Sequence, residues 1–119
     1  MKIKIKRAYD DPAKADGKRI LVDRLWPRGV SKKSAKIDFW LKEVAPSNAL
    51  RKWFSHDPEK WKEFQSRYRQ ELAKNKAAVA ELKEHLRGKT VTLVYGAKDT
   101  EHNQAVLLKT IWSSGATDS

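Results

Sequence analysis

At 119 residues the chain has the length of one domain, enough to bury a single core without covalent staples. It has no cysteine, which excludes disulfides, thiolate metal sites and thiol catalysis, and it has no apolar run near the roughly 20 residues of a membrane span. The net charge of +11 sits mostly in the first third, where residues 1–36 carry 12 Lys or Arg against 4 Asp.

Lys2 to Arg7 alternates with period two, with Ile3 and Ile5 on one face and lysines on the other, a half-exposed strand. Tyr9-Asp10-Asp11-Pro12 and Asp16-Gly17 bracket a polar loop. Arg19 to Asp23 then forms a second strand, and its run Ile20-Leu21-Val22 reads as buried on both faces, as in an interior parallel strand. Lys32 to Trp40 fits two patterns. Ile37, Phe39 and Leu41 alternate, yet Ser31 or Ser34 suits the cap of a helical turn, and the segment is read as turn plus short helix.

Ser47 after Pro46 caps a short helix ending near Phe54. Asp57-Pro58-Glu59 opens a longer one, with Trp61, Phe64, Tyr68 and Leu72 on one stripe. Lys74-Asn75 breaks it, and Ala77 to Arg87 forms another helix, ended by Gly88 in the left-handed conformation. Thr90 to Tyr95 is the clearest strand by β-branched content. Gly96 to Thr100 turns the chain, His102 to Trp112 is a mostly apolar helix, and residues 113–119 read as a tail. The order predicts an α/β fold: a small layered domain over residues 1–112, with a short, mostly parallel sheet and a helical middle long enough to serve as the crossover.

Chemistry concentrates after two of these strands. Asp23-Arg24-Leu25-Trp26-Pro27-Arg28-Gly29 brings a carboxylate, two guanidinium groups and an indole to a strand's carboxyl end, where parallel sheets open onto their ligand crevice. Tyr95-Gly96-Ala97-Lys98-Asp99 follows the last strand, with small residues that let a ligand near the backbone and a mobile cation in Lys98. A helix beginning near Thr100 adds free N–H groups and the positive end of its dipole, with Asn103 beside them. Together these form an oxyanion cradle. The competing reading makes Asp99 a helix cap and Arg24 a brace between loops.

Of three histidines, His102 lies beside this cradle, His56 precedes a helix start in a tryptophan-rich stretch, and His85 sits on a surface-type helix. No two have metal-ligand spacing, and no serine sits in a strand-to-helix elbow, so neither a metal site nor a Ser-His-Asp triad is expected. Trp26, Trp40 and Trp53 offer ring faces to an aromatic ligand, Trp26 foremost, while Trp61 and Trp112 fall on helical stripes and read as core.

Val22 to Gly29, Leu41 to Ser47, Leu50 to Phe54 with His56-Asp57-Pro58, and Tyr95 to Asn103 together resemble the short, YeaO-like subgroup of domain-of-unknown-function family 488. The resemblance runs from about Arg7 to Trp112 and implies a compact cytoplasmic α/β domain with no established reaction. Longer relatives carry cysteine near the segment matching Lys98 to Ala105; this chain keeps Lys98, Asp99 and His102 without it.

Two functions are expected. The first is a pocket at the strand ends for an anionic small molecule, phosphate- or nucleotide-like. There Arg24, Arg28 and Lys98 hold the anion, Trp26 lines the wall, Asp99 and Asn103 complete the lining, and Asp23 or His102 moves protons if there is chemistry. His56 is a secondary candidate, and no cofactor is expected. The alternative is a non-catalytic nucleic-acid-binding module using the basic first third. A soluble cytoplasmic protein without membrane association is expected in either case.

Overall fold

Parallel pairing of four strands organises the computed structural model, which describes residues 2–88 and 90–113. The strands are β1 (Lys2–Arg7), β2 (Lys18–Leu21), β3 (Phe39–Trp40) and β4 (Thr90–Tyr95), in the sheet order β1-β4-β2-β3. Ile3 stands opposite Val91 and Ile5 opposite Leu93, while Ile20 pairs with Leu93 on the other side. Period two therefore sends Ile3, Ile20, Val91, Leu93 and Tyr95 to one face.

That face carries the main core. Helices α2 (Asn48–Phe54), α3 (Trp61–Lys74), α4 (Lys76–Leu86) and α5 (Gln104–Ser113) supply Phe54, Phe64, Tyr68, Leu82, Leu107 and Leu108 to it. The stripe read from the sequence is the buried face of α3: Phe64, Tyr68 and Leu72 are buried, and Trp61 packs against them. The Tyr68 hydroxyl, wholly inside, donates to the Val44 carbonyl at 2.6 Å, which satisfies the polar end of a buried ring. Val22, though past the end of β2, is also fully buried.

The opposite face is polar at one end and apolar at the other. Ala8, Leu21 and Val94 form a small cluster under Trp26, Ile37 and Trp40. Beside it, Asp16 is buried between Arg19 (2.6 Å) and Lys6 (3.1 Å), and its backbone carbonyl accepts the Thr92 hydroxyl at 2.7 Å. Burial opposes the Asp16 charge, yet the Ala13 N–H, Lys6 and Arg19 outweigh it and hold the carboxyl below its ordinary range. Gly17 (φ 66°) lets this loop pass the sheet, since a Cβ there would stand 2.2 Å from the Thr90 carbonyl oxygen.

The expected α/β layering with a parallel sheet is what the chain adopts, with three local differences. The segment read as turn plus short helix holds a helical turn, α1 (Lys32–Ala35), and also a fourth strand, β3. Two residues are too few for a strand pattern to register. β3 is held by Asp38 N–H to the Arg19 carbonyl (2.8 Å) and Leu41 N–H to the Leu21 carbonyl (3.0 Å). The last helix begins at Gln104, not near Thr100, because Asn103 supplies the cap: its Oδ1 accepts the Val106 N–H at 3.1 Å. Ser113, placed in the tail by sequence, closes α5, and residues 114–119 lie outside the described residues. No helix among the described residues is long and apolar enough to cross a membrane.

Candidate functional site

β2 and β4 are neighbours, so the loops that follow them leave the same edge of the sheet. Val22 N–H bonds the Val94 carbonyl at 3.0 Å, and one residue later the Asp23 side chain crosses to β4's loop. Its Oδ2 accepts the Gly96 N–H at 2.8 Å, and the Gln104 amide reaches its Oδ1 while also donating to the Val22 carbonyl (3.2 Å). Glycine at position 96 leaves room for this closure. A Cβ there would stand 2.9 Å from Asp23 Oδ2.

A pocket of about 480 Å³ opens at this edge. Tyr9 after β1, Asp23 to Arg28 after β2, Arg51 and Phe54 of α2, His56, Phe64 of α3, Gly96, Ala97 and His102 to Gln104 all line it. Its size is within the range of small-molecule sites, and its place, outside the carboxyl ends of parallel strands, is where such folds bind ligands. Burial pushes the Asp23 carboxyl up to about 6, against the pull of the Gly96 N–H, the Gln104 amide and the charges of Arg51 and His56.

Three arginines line the same pocket, and they are not equivalent. Arg24 is spent on the backbone: Nε donates to the Pro46 carbonyl (3.1 Å) and Nη2 to the Ala45 carbonyl (2.9 Å), with Glu43 3.7 Å from Nη1. It fastens the loop after β2 to the segment leading into α2. Arg28 is exposed, its carbonyl accepts the Tyr9 hydroxyl at 2.9 Å, and its guanidinium has no protein partner among the described residues. Arg51 donates from Nη2 to Asn48 Oδ1 at 2.8 Å, and its Nε is buried without a partner.

The two histidines reach the pocket by different routes. His102 Nδ1 meets Asp99 Oδ2 at 2.8 Å, its backbone N–H donates to Asp99 Oδ1 at 3.0 Å, and Trp61 packs against its ring, centroids 5.4 Å apart. The Glu101 N–H and the His102 ring hold the Asp99 carboxyl below its usual range. With Nδ1 so occupied, Nε2 is the ring nitrogen left for a ligand. His56 follows Ser55 in the six-residue passage between α2 and α3. Both lie in the left-handed region (φ 57° and 46°), which non-glycine residues adopt at a cost of ~1–2 kcal/mol each.

The remaining expected residues divide. Trp26 lines the pocket, its ring pinned by Nε1–H donation to the Val30 carbonyl (2.6 Å) and an edge contact with Trp40 at 5.5 Å. Asn103 is buried, caps α5, and donates from Nδ2 to the Asp99 carbonyl at 2.9 Å. Asp99 serves the turn before the helix and the His102 ring and does not line the pocket; Lys98 is exposed and is also not among the lining residues. Trp53 stands elsewhere, under the Arg67 guanidinium at 4.1 Å, and His85 packs on Phe39 at 4.1 Å. Of the basic first third, Lys4 and Lys6 hold the Ala15 carbonyl (3.1 Å) and Asp16.

Tyr9, Arg51 and Gln104 were not singled out from sequence. Arg51 sits in a seven-residue helix whose one other charge, Lys52, is exposed, and only the docking of α2 at the sheet edge brings it to Asp23.

The family model described as the inactive DUF488-N3 subclade matches residues 2–117. An uncharacterised protein of Mycobacterium tuberculosis (strain H37Rv) is 40% identical over 107 residues, covering 90% of each chain. The uncharacterised protein YeaO of Escherichia coli K12 is 42% identical over 108 residues, 91% of this chain and 94% of that one. No solved structure matches the chain.

Proposed function

We propose, for a chain that belongs to the inactive DUF488-N3 subclade, that the pocket at the sheet edge binds a phosphate-bearing small molecule without turning it over. The observation that carries this reading is the gathering of Arg28 and Arg51, from separate segments, on one pocket whose only lining carboxylate among the described residues is Asp23. Guanidinium forks with open donors match the planar and tetrahedral oxyanions, and Arg is favoured over Lys wherever bidentate recognition matters. Arg24 contributes charge to the same pocket while its hydrogen bonds hold the loop in place.

Two features favour binding over catalysis. The subclade to which the chain belongs is described as inactive. In addition, both oxygens of Asp23 are already engaged by the fold, accepting from the Gly96 N–H and the Gln104 amide.

Calorimetric titration with inorganic phosphate tests the reading. The expected result is saturable one-to-one binding that Arg28→Ala weakens about tenfold, the scale of losing one charge-assisted hydrogen bond. Among the described residues the Arg28 guanidinium has no protein partner to lose. Absence of saturable binding, or the same affinity in the variant, overturns the proposal.

A further inference from the structure

We infer that the ligand's second half is a nucleobase, so that the pocket takes a nucleoside monophosphate unit. The inference rests on the anion-binding reading and extends it. A single oxyanion uses the open guanidinium donors but leaves most of a cavity of about 480 Å³ unfilled. The rest of that cavity has an aromatic wall.

Two rings in the wall are fixed in place by their own polar ends. Trp26 is held by its bond to the Val30 carbonyl and by Trp40 behind it. Tyr9 is held by its hydroxyl's bond to the Arg28 carbonyl and by the Arg7 guanidinium 5.0 Å from its centroid. Rings immobilised before the ligand arrives bind a planar partner without further ordering cost. The bond from Tyr9 to Arg28 ties one ring to the backbone of an anion-holding residue.

Exposure points the same way. Among the described residues three large hydrophobic side chains are exposed, and two of them, Tyr9 at 47% and Leu25 at 61%, line this pocket. An apolar and aromatic surface left in water beside the unpaired Arg28 guanidinium and the unsatisfied Nε of Arg51 suits a molecule that is flat and apolar at one end and anionic at the other. Base–aromatic stacking is tolerant of base identity, since every base offers a π-face. A free mononucleotide and the terminal nucleotide of a single strand share this chemistry, and the net charge of +11 attracts both.

The test is a binding series on the whole chain: inorganic phosphate, ribose 5-phosphate, phenyl phosphate, adenosine monophosphate and adenosine. Adenosine monophosphate is expected to bind at least tenfold tighter than ribose 5-phosphate and several-fold tighter than phenyl phosphate. Tyr9→Ala, at an exposed position, should remove about tenfold of the nucleotide affinity and cost the phosphate affinity less, while Tyr9→Phe, which loses only the bond to the Arg28 carbonyl, should keep the nucleotide preference. Trp26→Leu provides a second variant with the same expectation, and quenching of indole fluorescence by the nucleotide should be lost with it.

If phosphate binds but the nucleotide gains nothing over ribose 5-phosphate or phenyl phosphate, the nucleobase inference falls and the anion site stands. If none of the five binds, both fall. A nucleotide preference unaffected by either ring substitution also overturns the inference. A 5′-phosphorylated tetranucleotide separates the sources: tighter binding than the mononucleotide assigns a strand end, weaker binding assigns the free nucleotide, and either agrees with the shared chemistry.

Discussion

Asp23 Oδ2 accepts the Gly96 N–H at 2.8 Å, and this one bond joins the loops of two neighbouring strands into the floor of a pocket. It also keeps a carboxylate in a place where burial disfavours its charge. Asp23 is a structural tie and a titrating group at once, and the two roles can be separated by pH.

Asp23→Asn keeps an oxygen for the Gly96 N–H and removes the charge. The folded carboxyl titrates at about 6, above the ordinary ~3.9, so ionisation is costlier in the folded state. Its stabilising contribution is complete below the unfolded value and is lost as pH rises through about 6. The stability of the variant relative to the parent should therefore increase by up to ~3 kcal/mol between pH 4 and pH 8. Urea denaturation at the two pH values measures it, and a difference that does not change with pH would contradict the assignment.

Anion affinity should follow the same titration. Sulfate, whose charge is constant across this range, should bind more tightly at pH 5 than at pH 8, because protonation removes the pocket's lining negative charge. Asp23→Asn isolates the carboxylate's share: the part of the pH dependence centred near pH 6 should vanish in the variant. An unaltered profile excludes Asp23 from the effect.

Asp16 titrates with the opposite sign. Its carboxyl is held below the ordinary range, so its contribution is present above the unfolded value and is lost as pH falls through the folded one. Asp16→Asn leaves Arg19, 3% exposed, without its charge partner and should cost ~3 kcal/mol at pH 7. The gap should narrow as pH falls from the ordinary ~3.9 through the lower value of the folded carboxyl, where the parent gains its own proton. Parallel acid-unfolding curves would refute this.

Arg24 and Arg28 should part company in a pair of measurements. Arg24→Ala removes bonds to the Ala45 and Pro46 carbonyls and should cost ~1–3 kcal/mol of stability. Arg28→Ala should leave stability within ~0.5 kcal/mol, as surface substitutions do, and lose anion affinity. Equal destabilisation by both changes would mean that Arg28 has a structural role.

Much of the scaffold was legible because its signals are local. Asp57-Pro58 announces the start of the helical stretch bearing α3, Asn75 its end, and the β-branched run Thr90 to Tyr95 is a strand in any context. β3 escaped because its two residues depend on backbone bonds to Arg19 and Leu21 rather than on pattern. Asp23, Arg24, Trp26 and Arg28 were legible as pocket candidates because a strand's carboxyl end faces the crevice. Lys98 follows a strand as well, yet the turn that Asp99 caps leaves it exposed and outside the lining. Arg51 and Gln104 have no sequence mark. They reach Asp23 only through the docking of α2 and α5 onto the sheet, a long-range consequence that no short motif encodes.

The central claim is that an anion sits among the guanidinium groups at the sheet edge, and their own N–H signals report on it most directly. In ¹⁵N-resolved NMR spectra, assigned with Arg28→Lys and Arg51→Lys, phosphate titration should shift the Nε–H resonances of Arg28 and Arg51 together along one saturating curve. The Arg67 signal, paired on the surface with Glu63, should stay in place. Shifts confined to exposed side chains across the basic surface, without saturation and with Arg51 unmoved, would contradict the account.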